Sequence, residues 1–594
     1  MSEQRTTADP TTADSGSDDG TNPEAATAAG TTAGGAATPD GRATADTGTG
    51  TASAAGRRRL WLVPLIATGL VVPLYVLWAG WLATGGGDLA AQLHWTGFAE
   101  AHPSSAYNLS WYGGTHTANY SLLAPPLMAL FGVRAVSVAA GLVGTWAMAL
   151  LFVRSGVRYP VWPAIAGALA LWANIASGRT TFALGTGIGL VALVFLQRKL
   201  LAVAAVGAAL ATAASPVAGL FLVVVGAAYL LERRWRPAAA LLVPPALVVG
   251  VTTVLFPFGG EMPMQTNKLW MPLWVSAALV LAAPRGREWR LVRRGAAVYA
   301  LGVVLTYFTP SPIGRNVERL AGLAGPPVLV AALIAAVCAL GGWAAVREAV
   351  RRTGRAALVP VVPVVALTAM LAVNAHWLGD KTEDDLVVSN KVPVWAKETD
   401  ALVRELARLG ADRTRVEVVP ARNHREATVL APHVNMARGW NRQLDVERGR
   451  LFYDGSLNET TYREWLDRWA VGFVVLHQGR PDGPAEAEAA LVRSGPAYLK
   501  RVWRDDNWSV YRVRDAVPLV SAPAEVVDQD RAEMTVRMPA AGSVAVRVAH
   551  SPWLRAEGAC LEPDGEYTRL TVKEAGEYRL HSRYRLPWTA DPGC

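Results

Sequence analysis

The sequence predicts an α-helical polytopic membrane protein of about eleven spans, followed by a C-terminal module with an α/β part and a small β-sandwich. Three observations carry that prediction. Of the 594 residues, 52% are hydrophobic, and they are bunched into runs too long and too apolar for an ordinary soluble core. Lys and Arg cluster in alternate gaps between those runs. Near residue 378 the apolar runs stop, and charged and apolar residues mix from there to the end.

Taken in order, residues 1–56 are Thr, Ala, Gly, Ser and Asp with few larger apolar side chains, so they read as a disordered tail. Arg57, Arg58 and Arg59 then precede an apolar run over 60–83 that lacks a cleavage site and reads as a retained first span. Further runs fall near 133–153, 160–176, 180–196, 199–214, 216–231, 238–256, 269–283, 295–308, 326–346 and 357–377. One set of gaps carries Arg154 and Arg158, Arg198 and Lys199, "ERRWR", "PRGREWRLVRR" and "REAVRRTGR". The other keeps only Arg179, Lys268, Arg315 and Arg319. That asymmetry predicts a multi-pass cell-membrane protein with a cytoplasmic tail and an extracytoplasmic C-terminal module.

Residues 378–515 alternate helical patterns such as "NETTYREWLDRW" with short apolar runs such as "VGFVVLH", which predicts an α/β domain. Residues 516–594 read as strands and turns, a β-sandwich. Cys560 and Cys594 form a candidate disulfide there, and Cys338 falls in a span. The formal charge of +9 does not point to nucleic acid, because the arginines sit where a membrane topology puts them. No P-loop, Rossmann fingerprint or HExxH motif is present.

The longest loop between spans, 84–121, begins "GGGDLAAQLHWTGFAEAH". Its pattern predicts a helix lying flat at the membrane interface, with Asp88 at the N-terminal end, where the helix dipole favours a carboxylate. Asp88 is then either a simple cap or a functional group. Trp95, Trp111 and Tyr112 offer faces that stack on sugars, unless they belong to an interfacial aromatic belt. On the cation-poor side, Arg179, Arg315 and Arg319 suit an anionic phosphate, the alternatives being Glu318 or lipid headgroups.

The carboxylate after the first span, the long loop ending "NYSLLAPPL" and the late "IGRNVERL" give the chain a layout that resembles the GT-C superfamily of integral membrane glycosyltransferases. The likeness is to the actinobacterial arabinosyl- and mannosyltransferases that use polyprenyl-phosphate sugars, and to related bacterial membrane proteins. The resemblance implies transfer of a sugar from a polyprenyl-phosphate donor to a cell-envelope glycan or lipid acceptor, with inversion. Asp88 would be the general base, and Arg179, Arg315 and Arg319 would neutralise the lipid phosphate. Glu100, His94 or His116 would orient the acceptor or help to bind a divalent cation. Members of that superfamily carry two acidic residues in this loop, often close together, whereas here only Glu100 follows Asp88. A non-catalytic envelope-assembly protein and a multi-span transporter are the alternative classes.

Overall fold

A segment with almost no polar side chains can satisfy its backbone groups in hydrocarbon only internally, and among the described residues the apolar runs are helical, except that the run expected over 326–346 is broken by a turn at 340–342. The computed structural model describes residues 48–351 and 359–585, with side chains from Arg58 onward. Helix α1 (Gly48–Leu77) ends in a π-helical turn, Trp78–Leu82. It begins inside the segment expected to be disordered, where Ala52, Ala54 and Ala55 favour a helix. Two helices of the following loop, α2 (Asp88–Ala101) and α3 (Ala124–Phe131), lead into α4 (Val133–Arg154), α5 (Val161–Ala176) and α6 (Thr180–Gln197). Then come α7 (Leu201–Ala214), α8 (Pro216–Leu231), α9 (Trp235–Leu255), α10 (Trp270–Ala282), α11 (Arg290–Phe308), α12 (Glu318–Ala339), α13 (Trp343–Arg351) and α14 (Val362–Asn390).

Seven helical segments among the described residues are long and apolar enough to cross a membrane, and three shorter apolar helices, α5, α7 and α8, accompany them. Small residues let the helices approach closely. A Cβ on Gly187 of α6 would lie 2.8 Å from the Ala140 carbonyl of α4, so the two backbones nearly touch.

The last apolar helix does not stop near 377 but runs on to Asn390. Its polar extension, "DKTEDDL", stays helical because Lys381 pairs with Glu318 of α12 and Asp385 with Arg179. Beyond it, α15 (Asp400–Arg408), α16 (Arg442–Arg448), α17 (Glu459–Arg468) and α18 (Glu486–Ser494) surround a four-stranded sheet. That sheet is built from β1 (Arg415–Val418), β2 (Val471–His477), β3 (Leu499–Arg504) and β4 (Trp508–Val513) in the order β1-β2-β4-β3, with β1 and β2 parallel. Asn458 starts α17 with a reciprocal capping box to Thr461.

Seven further strands make the second β layer pair. One sheet has the order β7-β10-β9 (Gly542–Val546, Tyr567–Val572, Ala559–Asp564). The other has the order β5-β6-β11-β8 (Glu525–Gln529, Met534–Met538, Gly576–His581, Arg555–Ala556). Buried residues of both sheets, among them Val536, Val546, Leu570 and Leu580, share one core. Cys594, the candidate partner of Cys560, lies outside the described residues.

The loop after α2 is not a surface excursion. The amide of Ala106 bonds to the Ser582 carbonyl, Leu109 to Arg531 and Ala549 to Gly113, each at 2.7–2.8 Å, so this segment is part of the β-sandwich seam. On the other side Trp553 stacks on Phe256 at the end of α9, with ring centroids 5.0 Å apart.

Burial pushes two of the histidines in these cores, His116 and His477, down to about 4. His116 sits 3.1 Å from the Ala106 carbonyl and 3.1 Å from the Ser551 hydroxyl, while His477 ends β2 beneath Trp395. Both stay neutral in the folded protein at pH values where the unfolded chain takes up protons, so their contribution is complete above about 6.5 and falls away toward pH 4. Thermal unfolding of the purified protein should therefore show a lower midpoint at pH 5 than at pH 7, and His116→Phe with His477→Phe should reduce that difference.

Candidate functional site

Three consecutive glycines make the start of α2 possible. Gly85 and Gly87 have φ of 96° and 65°, left-handed values that other residues adopt only with strain. Gly86 is in close contact instead, since a Cβ there would lie 2.9 Å from the Ser389 carbonyl at the end of α14. Gly86→Ala is expected to cost about 1–3 kcal/mol by overpacking, read as a lower unfolding midpoint in detergent. An unchanged midpoint would show that the turn yields.

The turn delivers Asp88 to the first position of α2. Its carboxylate accepts a 3.3 Å hydrogen bond from Arg179 Nε, and it keeps 34% of its side-chain surface exposed. Arg179 precedes α6 and is itself 13% exposed, and its other arm donates to Asp385 of α14 at 2.7 Å. One guanidinium thus bridges two carboxylates supplied by segments far apart in the chain. Burial alone would raise the Asp88 pKa, but Arg179, then Arg319, Arg315 and His424, outweigh it and hold the carboxyl below its usual value. Arg179 is held cationic against burial by Asp385 and Asp88.

Sequence neighbours of these groups lock the arrangement. Gly178 (φ 77°) lies under the first turn of α2, where a Cβ would meet the Leu89 amide at 2.6 Å. One turn beyond Asp88, buried Gln92 donates to the Tyr120 hydroxyl at 2.6 Å and accepts a hydrogen bond from Thr181. Arg319 stands 5.4 Å over the Phe182 ring, and Glu318 is taken by Lys381. Among the described residues, neither Arg315 nor Arg319 has a carboxylate in ion-pair contact, so neither guanidinium is neutralised by direct contact. Arg179, Arg319, Trp377 and Lys381 line a cavity of about 20 Å³, room for a water and not for a sugar.

The structure brings together Asp88, Arg179, Arg315 and Arg319 from the sequence expectation, and leaves the other candidates elsewhere. Glu100 is exposed at the opposite end of α2, ~18 Å along the helix. His94 is 3% exposed, stacked at 3.4 Å on Trp111, and burial holds it neutral. His116 belongs to the seam described above. Trp95, Trp111 and Tyr112 are 1%, 0% and 1% exposed, core side chains rather than sugar platforms.

The physical reason is that α2 is buried on most sides instead of lying flat on a surface. Leu89 joins the helical bundle, while Ala91 and Trp95 join the α/β core. Nor do these residues suit a divalent cation. Glu100, His94 and His116 do not converge on Asp88, and a guanidinium stands between Asp88 and Asp385. Among the described residues no group of three or more His, Cys, Asp or Glu side chains is arranged to hold a metal ion.

Sequence reasoning missed Asp385, Lys381 and the segment Asn423–Arg425. The first two carried a readable signal, since Lys381 and Asp385 are one helical turn apart directly after an apolar run. The third had none.

Residues 521–563, within the β-sandwich, match a family model described as a domain of unknown function, DUF8823. No curated protein matches the chain. Among solved structures, the chain is similar to a cryo-EM structure of the arabinofuranosyltransferase AftD from mycobacteria, with 17% identity and a TM-score of 0.42. The similarity covers 84% of this chain and 42% of that one, so this chain spans less than half the length of that protein.

Proposed function

We propose that this chain is a GT-C-type membrane glycosyltransferase that moves a sugar from a polyprenyl-phosphate donor to a cell-envelope glycan or lipid acceptor. We further propose that its tail is cytoplasmic and its C-terminal module extracytoplasmic, the orientation the Lys and Arg distribution favours. The observation that carries the reading is a partly exposed carboxylate, Asp88, kept ionised among three arginines, two of them without a carboxylate in contact among the described residues.

That arrangement suits the two charges the reaction develops. As the acceptor oxygen bonds to the anomeric carbon, its proton passes to the Asp88 carboxylate. The bond from that carbon to the phosphate oxygen breaks on the opposite face, and the electron pair leaves with the phosphate, where Arg319 and Arg315 offset the charge. Attack and departure on opposite faces invert the configuration. The Asp88 pKa, held low, keeps the base deprotonated throughout the physiological range.

A non-catalytic reading draws on one specific feature, the bridging of Arg179 between two carboxylates, which also suits a purely structural tie. Presenting the full-length protein in lipid nanodiscs with radiolabelled polyprenyl-phosphate sugars and an envelope glycan acceptor separates the two. Label should move to the acceptor with release of polyprenyl phosphate. A folded protein that transfers from none of the donors, while its deletion still alters the envelope, would support the non-catalytic reading.

A further inference from the structure

The segment Asn423–His424–Arg425 follows β1 and reaches across to the turn that carries Asp88. The Gly87 amide donates to the Asn423 carbonyl at 2.8 Å. Arg425, only 4% exposed, donates from Nη1 to the Thr84 carbonyl at 2.5 Å. From Nη2 it donates to the Thr84 hydroxyl at 2.7 Å and to the Ser389 carbonyl at 2.6 Å. Thr84 Oγ1 in turn donates to the same Ser389 carbonyl at 2.7 Å, closing a triangle.

Two features of this guanidinium bear on the site, and the second is its own among the arginines of the module. Among the described residues it has no carboxylate in ion-pair contact, and its two Nη arms bond only to backbone and hydroxyl oxygens. And the two chain segments it joins are the ones that present the site's carboxylates: Thr84 lies one helical turn's worth of residues before Asp88, and Ser389 one turn after Asp385. The glycine at 86 is pressed between the same groups, since a Cβ there would stand 3.1 Å from Arg425 Nη2.

We propose that Arg425 is a positioning residue that sets how Asp88 and Asp385 share Arg179, making the α/β domain a working part of the site rather than an appendage. A planar fork with donors on two nitrogens can hold both segments at once. Lysine keeps the charge but presents a single nitrogen, so Arg425→Lys separates geometry from charge.

The effect on transfer rests on the function proposed above, whereas the effect on the backbone does not, and the test reads both. In the full-length protein in nanodiscs, hydrogen–deuterium exchange of Arg425→Lys should rise by about tenfold in the segments 84–92 and 383–390 together, with β1 and β2 unchanged. In the transfer assay kcat should fall by about tenfold with the donor KM unchanged. Thr84→Val, which removes only the hydroxyl corner of the triangle, should move the same two segments and serves if Arg425→Lys does not fold. Unchanged exchange in either segment, or wild-type kcat beside an inactive Asp88→Asn control, overturns the proposal. If Asp88→Asn is itself fully active, the proposed function falls, and the exchange measurement still decides the role of Arg425.

Discussion

Replacing Asp88 with Asn should lower sugar transfer by at least about 100-fold, within the range expected when a general base is removed, while the protein stays folded. The structure makes this separation of activity from stability feasible. Arg179 keeps its 2.7 Å bond to Asp385 after the substitution, so no buried cation is stranded. Gly87, not Asp88, occupies the cap position of α2, so losing the carboxylate costs only ~0.3–1 kcal/mol of dipole interaction.

The pH dependence follows with a definite sign. Because Arg179, Arg319, Arg315 and His424 hold the Asp88 carboxyl below its ordinary value, Asp88 loses its proton at lower pH than a free carboxyl does. The acid limb of kcat should therefore lie below the usual carboxylate range, and Arg179→Gln should move it upward. Transfer by Asp88→Asn at the wild-type rate would end the catalytic assignment. An Arg179→Gln acid limb that stays in place would show that some other group titrates.

Arg438→Met should unfold or strongly loosen the α/β domain, at a cost of about 3–5 kcal/mol, the penalty typical when one partner of a buried ion pair is removed. Arg438 is 3% exposed, donates to Glu417 from Nε at 2.9 Å, and also bonds to Glu488. Its guanidinium stacks 3.8 Å from the Phe452 ring centroid. Glu417 and Glu488 are fully buried, so the substitution leaves two carboxyl groups without their cation.

Burial already raises both carboxyl groups above the ordinary glutamate value. A raised carboxyl pKa means that the folded state holds a proton the unfolded chain has released, so stability drains as pH rises above the ordinary value. Without Arg438 that drain steepens, and the variant should be closer to wild type at pH 5 than at pH 8. Thermal unfolding together with limited proteolysis of the C-terminal module checks this. Equal losses at both pH values would mean that lost packing on Phe452, and not charge, is the cause.

Some of the site could be read from the chain because single segments carried it. Asp88 after a glycine turn, and Arg315 and Arg319 four residues apart, are local patterns, and the fold keeps them near one another. Trp111 shows the opposite case. Its type suggested a sugar platform, yet its indole lies against Gly439, where a Cβ would come within 2.4 Å, so the residue is a core plug. His94 and His116 failed in the same way, since an imidazole looks the same in sequence whether solvent or a stacked ring faces it. Asp385 and Arg425 act on Asp88 from hundreds of residues downstream, and no spacing rule connects them.

The sequence by itself determined where the chain must be helical in an apolar setting, though not that the last helix would continue to Asn390. Backbone hydrogen bonding in hydrocarbon leaves a continuous apolar run no other choice. It also determined that the start of α2 would be a tight glycine turn ending in a carboxylate. The tertiary structure decided which polar groups meet. Burial, ion pairing and the pairing of Asp88 with Asp385 through one arginine depend on distances between segments, and those distances are set only when the helices pack and the α/β domain closes over the turn.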